Sequence, residues 1–342
     1  MSSSAHAGRC VLVTGAGGYI GSALVQAIAD AGSRCIVLLD SSEYNLFAIQ
    51  RDMLETVRNR VPCEAFLGSV DDTELLDEIF SRFHPEIIYH AAAFKHVPLL
   101  ELNPIAALQN NAIGTWTLAQ AAIRGGASTF VLISTDKAVN PHSVLGVSKR
   151  IAELAVVALS TAACRMSAIR LVNVIGSGGS VVPIFFKQIA EGGPVTVTHP
   201  EASRWFLSLD ETVEAVLACG AATFGAASCD GRILLPAVGE PRRIAELAES
   251  LIRDAGKEIP IQFIGLRPGD KLTEELTYKT EVSVGFVEGG LEVVKTSRLA
   301  RAELEDVMEQ LAGCIAGRDV SGLVEVLLSV VPEYAMARAA GV

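Results

Sequence analysis

The chain has 342 residues, half of them apolar, and its 28 Lys and Arg against 39 Asp and Glu leave a net charge of −11. That length suits one large α/β unit with an appended lobe, or two folding units, and the composition excludes a disordered or collagen-like chain. The acidic balance speaks against nucleic acid as a partner, since neutralising phosphates takes a concentrated positive face.

Mean hydropathy is high, at +0.39, yet the longest apolar stretches, such as Leu154 to Cys164, fall well short of the ~18–20 residues of a spanning helix. No membrane span is expected. Met1 to Arg9 is small and polar and carries no apolar signal core. The seven cysteines, at 10, 35, 63, 164, 219, 229 and 314, form no Cys-x-x-Cys pair. This pattern fits reduced thiols in a cytoplasmic protein and gives neither a disulfide framework nor a metal site.

In chain order, Cys10 to Thr14 reads as a strand apolar on both faces, as in a parallel sheet covered by helices. It runs directly into Gly15, Gly18 and Gly21, and a helical pattern follows to Ala31. Such a unit offers close backbone approach and free N–H groups at a helix N-terminus, as a dinucleotide pyrophosphate requires; taken alone it also fits an ordinary tight turn. The next strand, Cys35 to Asp40, ends in a carboxylate nineteen residues after Gly21. Asp40 either caps a strand end or accepts hydrogen bonds from adenosine ribose hydroxyls while repelling a 2′-phosphate, which favours NAD over NADP.

Helical patterns at Asp72 to Phe83 and Gly114 to Gly125 then alternate with buried strands at Ile87 to Ala91, Phe130 to Ser134 and Ser167 to Val174. The rhythm predicts an α/β fold, a Rossmann-type doubly wound parallel sheet, over residues 1–176. Over 177–342 Gly and Pro become frequent, helices at Asp210 to Ala221 and Ile244 to Ala255 stand between short strands, and the last forty residues read as helix. A smaller C-terminal α+β substrate lobe, intertwined with the first unit, is expected there. The Phe130 strand delivers Ser134, Thr135, Asp136 and Lys137 to its carboxyl end, the edge at which doubly wound sheets bind ligands. An adjacent carboxylate and ammonium form either a plain surface pair or, in a cleft, an acid and a base whose proton affinities the site separates. His90, in an apolar strand, and His84, on a loop, read as structural, and Trp116 as core or subunit interface.

These motifs carry a resemblance. Thr14-Gly15-x-x-Gly18-x-x-Gly21 with Leu145-Gly-Val-Ser-Lys149 resembles an extended short-chain dehydrogenase/reductase. More narrowly, His90-Ala-Ala-Ala-Phe-Lys-His-Val-Pro98, Ser134-Thr-Asp-Lys-Ala138, Asn140-Pro141, Ile175-Gly-Ser177 with Gly179-Ser180, Gly193-Pro-Val-Thr-Val-Thr198 and Arg267-Pro-Gly-Asp-Lys271 are similar to the CapD-like UDP-N-acetylglucosamine 4,6-dehydratases of polysaccharide biosynthesis. The similarity runs from about Val11 to Leu276. It implies a lyase with bound NAD. A hydride leaves sugar carbon 4, the resulting ketone acidifies the carbon-5 hydrogen, water departs from carbon 6, and the hydride returns there. It further implies that the chain, starting nine residues before its first strand, is the catalytic part alone, and that it forms a homodimer or higher oligomer through helices flanking Lys149.

Residue roles follow from the same resemblance. Asp136 would protonate the departing hydroxyl, Lys137 would take the carbon-5 proton as a neutral amine with a depressed pKa, and Thr135 would hold the sugar near carbon 4. Lys149 would grip the nicotinamide ribose, with Ser134 lining the same pocket. Gly15, Gly18, Tyr19, Ile20, Gly21, Asp40, Ser69, Val70, Ala91, Ala92, Ala93 and Asn111 would contact the cofactor. Lys95, Asn173, His199, Arg204, Arg267 and Asp270 would meet the UDP-sugar, the arginines by guanidinium donors suited to phosphate.

The chain departs from the pattern at three places. Leu145 stands where the wider superfamily has the tyrosine of Tyr-x-x-x-Lys; among the dehydratases this form points to retention at carbon 5. Gly68-Ser69 replaces a usual Gly-Asp, and Gly178 replaces an arginine. The rival readings are a UDP-sugar 4-epimerase, an inverting 4,6-dehydratase, a 5,6-dehydratase and, from another class, a non-catalytic NAD-binding scaffold.

Overall fold

Side chains that alternate between two apolar layers build the centre of the molecule. The structure, a computed structural model, describes residues 3–56, 61–225 and 229–334. Its main strands are β1 (Cys10–Thr14), β2 (Cys35–Asp40), β3 (Cys63–Leu67), β4 (Ile87–His90), β5 (Thr129–Thr135), β6 (Arg165–Leu171), β7 (Arg232–Leu235), β8 (Val282–Val287) and β9 (Leu291–Lys295). They form one nine-stranded sheet in the order β8-β9-β7-β6-β5-β4-β1-β2-β3. Pairing is parallel from β3 through β7, and β9 and β8 add an antiparallel hairpin at the far edge.

Along β1, Cys10 and Leu12 enter one hydrophobic cluster while Val11 and Val13 enter the other. The same alternation on β5 sends Phe130 and Leu132 one way and Val131 and Ile133 the other. Both faces are therefore buried, which is why these strands read as unbroken apolar runs. Each fully buried large side chain contributes about 1.5–3 kcal/mol. β1 lies between β4 and β2, so the chain winds away from it in both directions. A crevice opens outside the carboxyl ends of the strands at that reversal.

Two departures from the predicted elements have local causes. β3 is missing from the predicted series because it is a half-exposed edge strand carrying Glu64. The predicted strand Ser167 to Val174 is two pieces: β6 ends at Leu171, and Asn173–Val174 leaves the sheet to pair with Phe206–Leu207. That exit turns Asn173 toward Lys137.

Beyond the sheet, a third cluster joins Phe185, Ile189, Val195, Val197, Ala202, Ile244, Ala248 and Ile252. The terminal helical stretch is two helices, Arg301–Ala316 and Val320–Val330, the second started by Asp319 accepting from Gly322 N–H. Residues 335–342 of the predicted helix lie outside the described residues. The first of these helices packs on Val144–Leu159, in which every residue but Ala158 is buried. The helix that carries Lys149 is thus covered by its own chain. Among the described residues no helix is long and apolar enough to cross a membrane.

Candidate functional site

The glycines act through space rather than flexibility alone. Gly15 has φ +64, and a Cβ on it would stand 2.7 Å from Ala92 N; at Gly21 a Cβ would overlap the Gly15 carbonyl oxygen. The turn is thereby held against the end of β4. Gly15 N–H and Ala16 N–H donate to Leu39 O at 2.8 and 3.3 Å. Asp40, 8% exposed, accepts from Gly17 N–H and Ser42 N–H, both at 2.9 Å.

A groove of about 230 Å³ results, lined by the predicted Gly15, Gly18, Asp40, Ser69, Val70, Ala91, Ala92 and Ala93, and also by Leu39, Ser41, Ser42, Asn45, Gly68, Phe94 and Asn110, which were not among the expected cofactor contacts. A dinucleotide fits these residues. Helix Tyr19–Asp30 starts at Gly18 with no side chain capping it, so its first N–H groups can receive a pyrophosphate. Tyr19 reaches across to donate to Ile175 O at 2.9 Å, while Ile20 packs into the core instead of lining the groove.

Behind the groove runs a buried polar chain whose proton directions follow from donor counting. Thr115 Oγ1 donates to Asn111 O at 2.7 Å, so it accepts from His90 Nε2–H at 2.9 Å. His90 Nδ1 then accepts from the Thr14 hydroxyl at 2.7 Å. Complete burial, with Lys149 nearby, pushes the His90 imidazole down to about 3, so it stays neutral. This matches its structural reading. Asn111 corrects the expectation of a cofactor contact: it is buried, its Oδ1 accepts from Phe94 N–H at 2.9 Å and its Nδ2 donates to Phe94 O and Ser148 Oγ, both at 3.0 Å. Its neighbour Asn110 lines the groove instead, from the same π-helical turn Gln109–Ile113.

At the carboxyl end of β5 the chain tightens into a 3-10 turn, Asp136–Ala138, against the start of helix Val144–Leu159. The approach is close enough that a Cβ at Gly146 would overlap the Lys137 carbonyl oxygen. Ser143 Oγ and Glu101 Oε1 cap that helix by accepting from Gly146 and Val144 N–H. Asp136 is 1% exposed. Its Oδ1 accepts from Thr135 Oγ1 and from Lys137 Nζ, each at 2.9 Å, while buried Oδ2 has no protein partner. Lys137 Nζ also donates to Asn173 Oδ1 at 3.0 Å and lies 3.9 Å from Glu274 Oε1.

The expected depression of Lys137 is not found in this state. Burial alone lowers it, but Asp136 and Glu274 outweigh burial and the repulsion of Arg204, and the ammonium is held above its usual range. Burial does depress Lys149, pushing it down to about 8 against the pull of Glu153, and its Nζ donates to Ile133 O at 2.8 Å. Ser134 is a further correction. Its hydroxyl points away from Thr135 and donates to Glu153 at 2.7 Å, joining a buried network of Glu153, Arg170, Arg150 and Glu281. Leu145 is 4% exposed and packs in the core.

Of the predicted substrate residues, Asn173 alone joins the Asp136–Lys137 cluster directly. Arg204, expected as a phosphate donor, gives its N–H groups to the carbonyls of Ser203, Lys271 and Leu272 and faces Glu274 at 3.6 Å. Arg267 and Asp270 pair with each other at 2.9 Å. His199 Nδ1 accepts from Glu201 N–H in a turn, and Lys95 is exposed beside the groove-lining Phe94. Glu274 was missed. Its signal was the spacing Lys271-x-x-Glu274 directly after the Arg-Pro-Gly-Asp motif, which puts a carboxylate beside a buried lysine at 3.5 Å.

The profile of the polysaccharide biosynthesis protein family matches residues 11–289. The capsular polysaccharide biosynthesis protein CapD of Staphylococcus aureus is 41% identical over 308 residues, 89% of this chain and 51% of CapD, so the chain spans about half the length of that relative. Pen from Bacillus thuringiensis superposes with a TM-score of 0.77 at 26% identity, covering 90% of this chain and 99% of Pen. DesIV, a dTDP-glucose 4,6-dehydratase of Streptomyces venezuelae solved with NAD, gives 0.69 at 21% identity over 90% of this chain and 98% of DesIV. With its glycine cradle, its Asp40 and its Asp136–Lys137 ion pair, the chain belongs to the polysaccharide biosynthesis protein family, on the fold of the short-chain dehydrogenase/reductase nucleotide-sugar enzymes.

Proposed function

We propose that this chain is an NAD-dependent 4,6-dehydratase of UDP-N-acetylglucosamine that yields a UDP-4-keto-6-deoxy sugar with retention at carbon 5. Residues 1–176 hold the cofactor, and 177–342 supply most of the substrate lobe. The observation that carries the reading is the hydrogen-bonded Thr135–Asp136–Lys137–Asn173 cluster, built on buried Asp136 at the carboxyl end of β5, two strands from the glycine turn. A nicotinamide bound in the crevice supplies hydride acceptance from carbon 4 and hydride return to carbon 6. NAD rather than NADP follows from Asp40, whose carboxylate favours ribose hydroxyls and opposes a phosphate.

The protons are managed by the chain. Leu145 cannot move a proton, so the carbon-4 hydroxyl proton passes through Thr135 Oγ1 to Asp136, 2.9 Å away. The resulting carboxylic acid gives that proton to the carbon-6 hydroxyl, which leaves as water. Lys137 as the free amine takes the carbon-5 proton and returns a proton to the same face of carbon 5, which retains configuration. The cycle closes with Asp136 ionised and Lys137 neutral, one proton fewer than in the ion pair seen here. Substrate covering the cluster strips water from the ammonium and drives that loss.

Incubation with UDP-N-acetylglucosamine and NAD, followed by mass spectrometry, tests the proposal: loss of one water is expected. Asp136→Asn and Lys137→Ala should each abolish it while leaving NAD binding intact. Conversion to the galacto isomer without loss of water would replace dehydratase by 4-epimerase.

A further inference from the structure

We propose that Glu274 is a positioning residue for this chemistry, acting through Lys137: one buried carboxylate anchors the Lys137, Lys271 and Arg204 head groups and so fixes where the Lys137 amine stands and how readily it gives up its proton. The inference rests on Lys137 as the base of the proposed reaction.

Glu274 is 3% exposed. Its Oε1 lies 3.9 Å from Lys137 Nζ and 3.6 Å from Arg204 Nε, and its Oε2 lies 3.5 Å from Lys271 Nζ without a hydrogen-bond partner of its own. A carboxylate taken out of water is costly unless its lone pairs are matched by cations and hydrogen bonds. Three cations converge on this one, each from a different segment. Lys137 comes from the 3-10 turn after β5, Arg204 from the short strand Ser203–Arg204, and Lys271 from the loop that follows Arg267.

Each cation is also tied elsewhere. Lys271 Nζ donates to Val139 O at 2.6 Å, closing the turn that bears Asp136 and Lys137. Arg204 donates to the carbonyls of Lys271 and Leu272. Glu274 is thus the common counter-charge of a clamp that joins the reacting turn to the second half of the chain.

The charged and titratable groups facing this clamp are Asp136 and Lys137 from the turn, His142 from the segment before helix Val144–Leu159, Arg204, and Lys271 and Glu275 from the loop. Removing the Glu274 charge leaves three cations facing each other with Asp136 and Glu275 as the remaining acids. Repulsion then favours loss of a proton, and Lys137 reaches its free-amine form at lower pH.

The test uses the full chain labelled with ¹³C at lysine Cε, with the Lys137 signal assigned by its absence in Lys137→Arg. In Glu274→Gln the Lys137 titration midpoint falls by roughly one to two pH units, and Glu274→Asp, which keeps the charge, restores most of it. The acidic limb of kcat/KM for dehydration moves in the same direction. An unchanged midpoint in a Glu274→Gln protein with a normal thermal melt overturns the proposal, as does a fall in kcat with the limb in place. A shifted midpoint in a protein whose wild type turns over no UDP-sugar supports the clamp and overturns the dehydratase reading.

Discussion

Gly146→Ala sets two effects of opposite sign against each other at the point where the reacting turn meets its supporting helix. In a helix Ala is favoured over Gly by about 1 kcal/mol at most, and Gly146 lies in the first turn of Val144–Leu159. The added Cβ, however, would overlap the Lys137 carbonyl oxygen and stand 2.8 Å from Pro141 Cβ. The proline contact alone is about 0.7 Å inside the ~3.5 Å at which carbon atoms attract. Both neighbours are rigid, a backbone carbonyl and a proline ring, so neither turns aside. Overpacking of this kind costs ~1–3 kcal/mol, and the clash therefore outweighs the helix gain.

Relief separates the helix start from the Asp136–Ala138 turn, and Asp136 and Lys137 move with it. A displacement of about 1 Å at reacting groups lowers a rate by ~10²-fold, while each kcal/mol of lost stability lowers the melting temperature by roughly 1–2 °C in a chain of 342 residues. The assay pairs a thermal melt with the dehydration rate at saturating substrate. A Gly146→Ala protein that melts at or above wild type and keeps its full rate would refute the claim that this contact positions the pair.

Four other outcomes are expected. Gly15→Ala, strained by φ +64 and by a Cβ 2.7 Å from Ala92 N, should weaken NAD binding by at least ~10-fold in calorimetry; unchanged affinity would mean the cofactor lies elsewhere. Asp40→Ala removes the acceptor of Gly17 and Ser42 N–H and should cost NAD affinity without creating NADP affinity, read by parallel titrations. Leu145→Tyr inserts a larger polar ring at a 4% exposed core position, so it should lower the melting temperature without raising the dehydration rate; a faster enzyme would show that a tyrosine base can be restored there.

Arg170→Met removes the guanidinium hydrogen-bonded to both Glu153 and Glu281, leaving Arg150 as the one cation of the network to face them, and should destabilise by about 3–5 kcal/mol in urea. The sign of the pH effect is fixed by Glu153. Burial raises its pKa, but Arg170, Arg150 and Ser134 outweigh burial and hold it below the ordinary 4.5. Its stabilisation is therefore full above that ordinary value and is lost as pH falls through the depressed one. The wild-type urea midpoint should drop on acidification over that window, and the Arg170→Met midpoint should drop less.

How much was legible depended on whether a residue's partners are local. β1 and β2 were read to the residue, because a strand buried on both faces leaves an unbroken apolar run between polar ends. The glycine turn and Asp40 were legible for the same reason: strand, turn and helix are contiguous. Ser134 and Thr135 show a signal available but unused, since neighbours on a strand face opposite sides and only one of the two can reach the cluster. Asn110 and Asn111 were not separable, because two identical amides adjacent on one helical turn carry no residue pattern that says which one meets the groove. Arg204 was misread because what occupies its guanidinium is a backbone segment 67 residues away. The raised proton affinity of Lys137 in this state comes first from its neighbour Asp136, a pairing the sequence shows, and then from Glu274, which lies far along the chain.

The most direct test of the central claim is the fate of carbon 5 when UDP-N-acetylglucosamine is turned over in heavy water. The account predicts a product lighter by one water, with solvent deuterium at carbon 5, the original carbon-4 hydrogen at carbon 6 and the original configuration at carbon 5 kept, read by mass spectrometry and NMR. Recovery of only the galacto isomer, or a carbon 5 of inverted configuration, would contradict it.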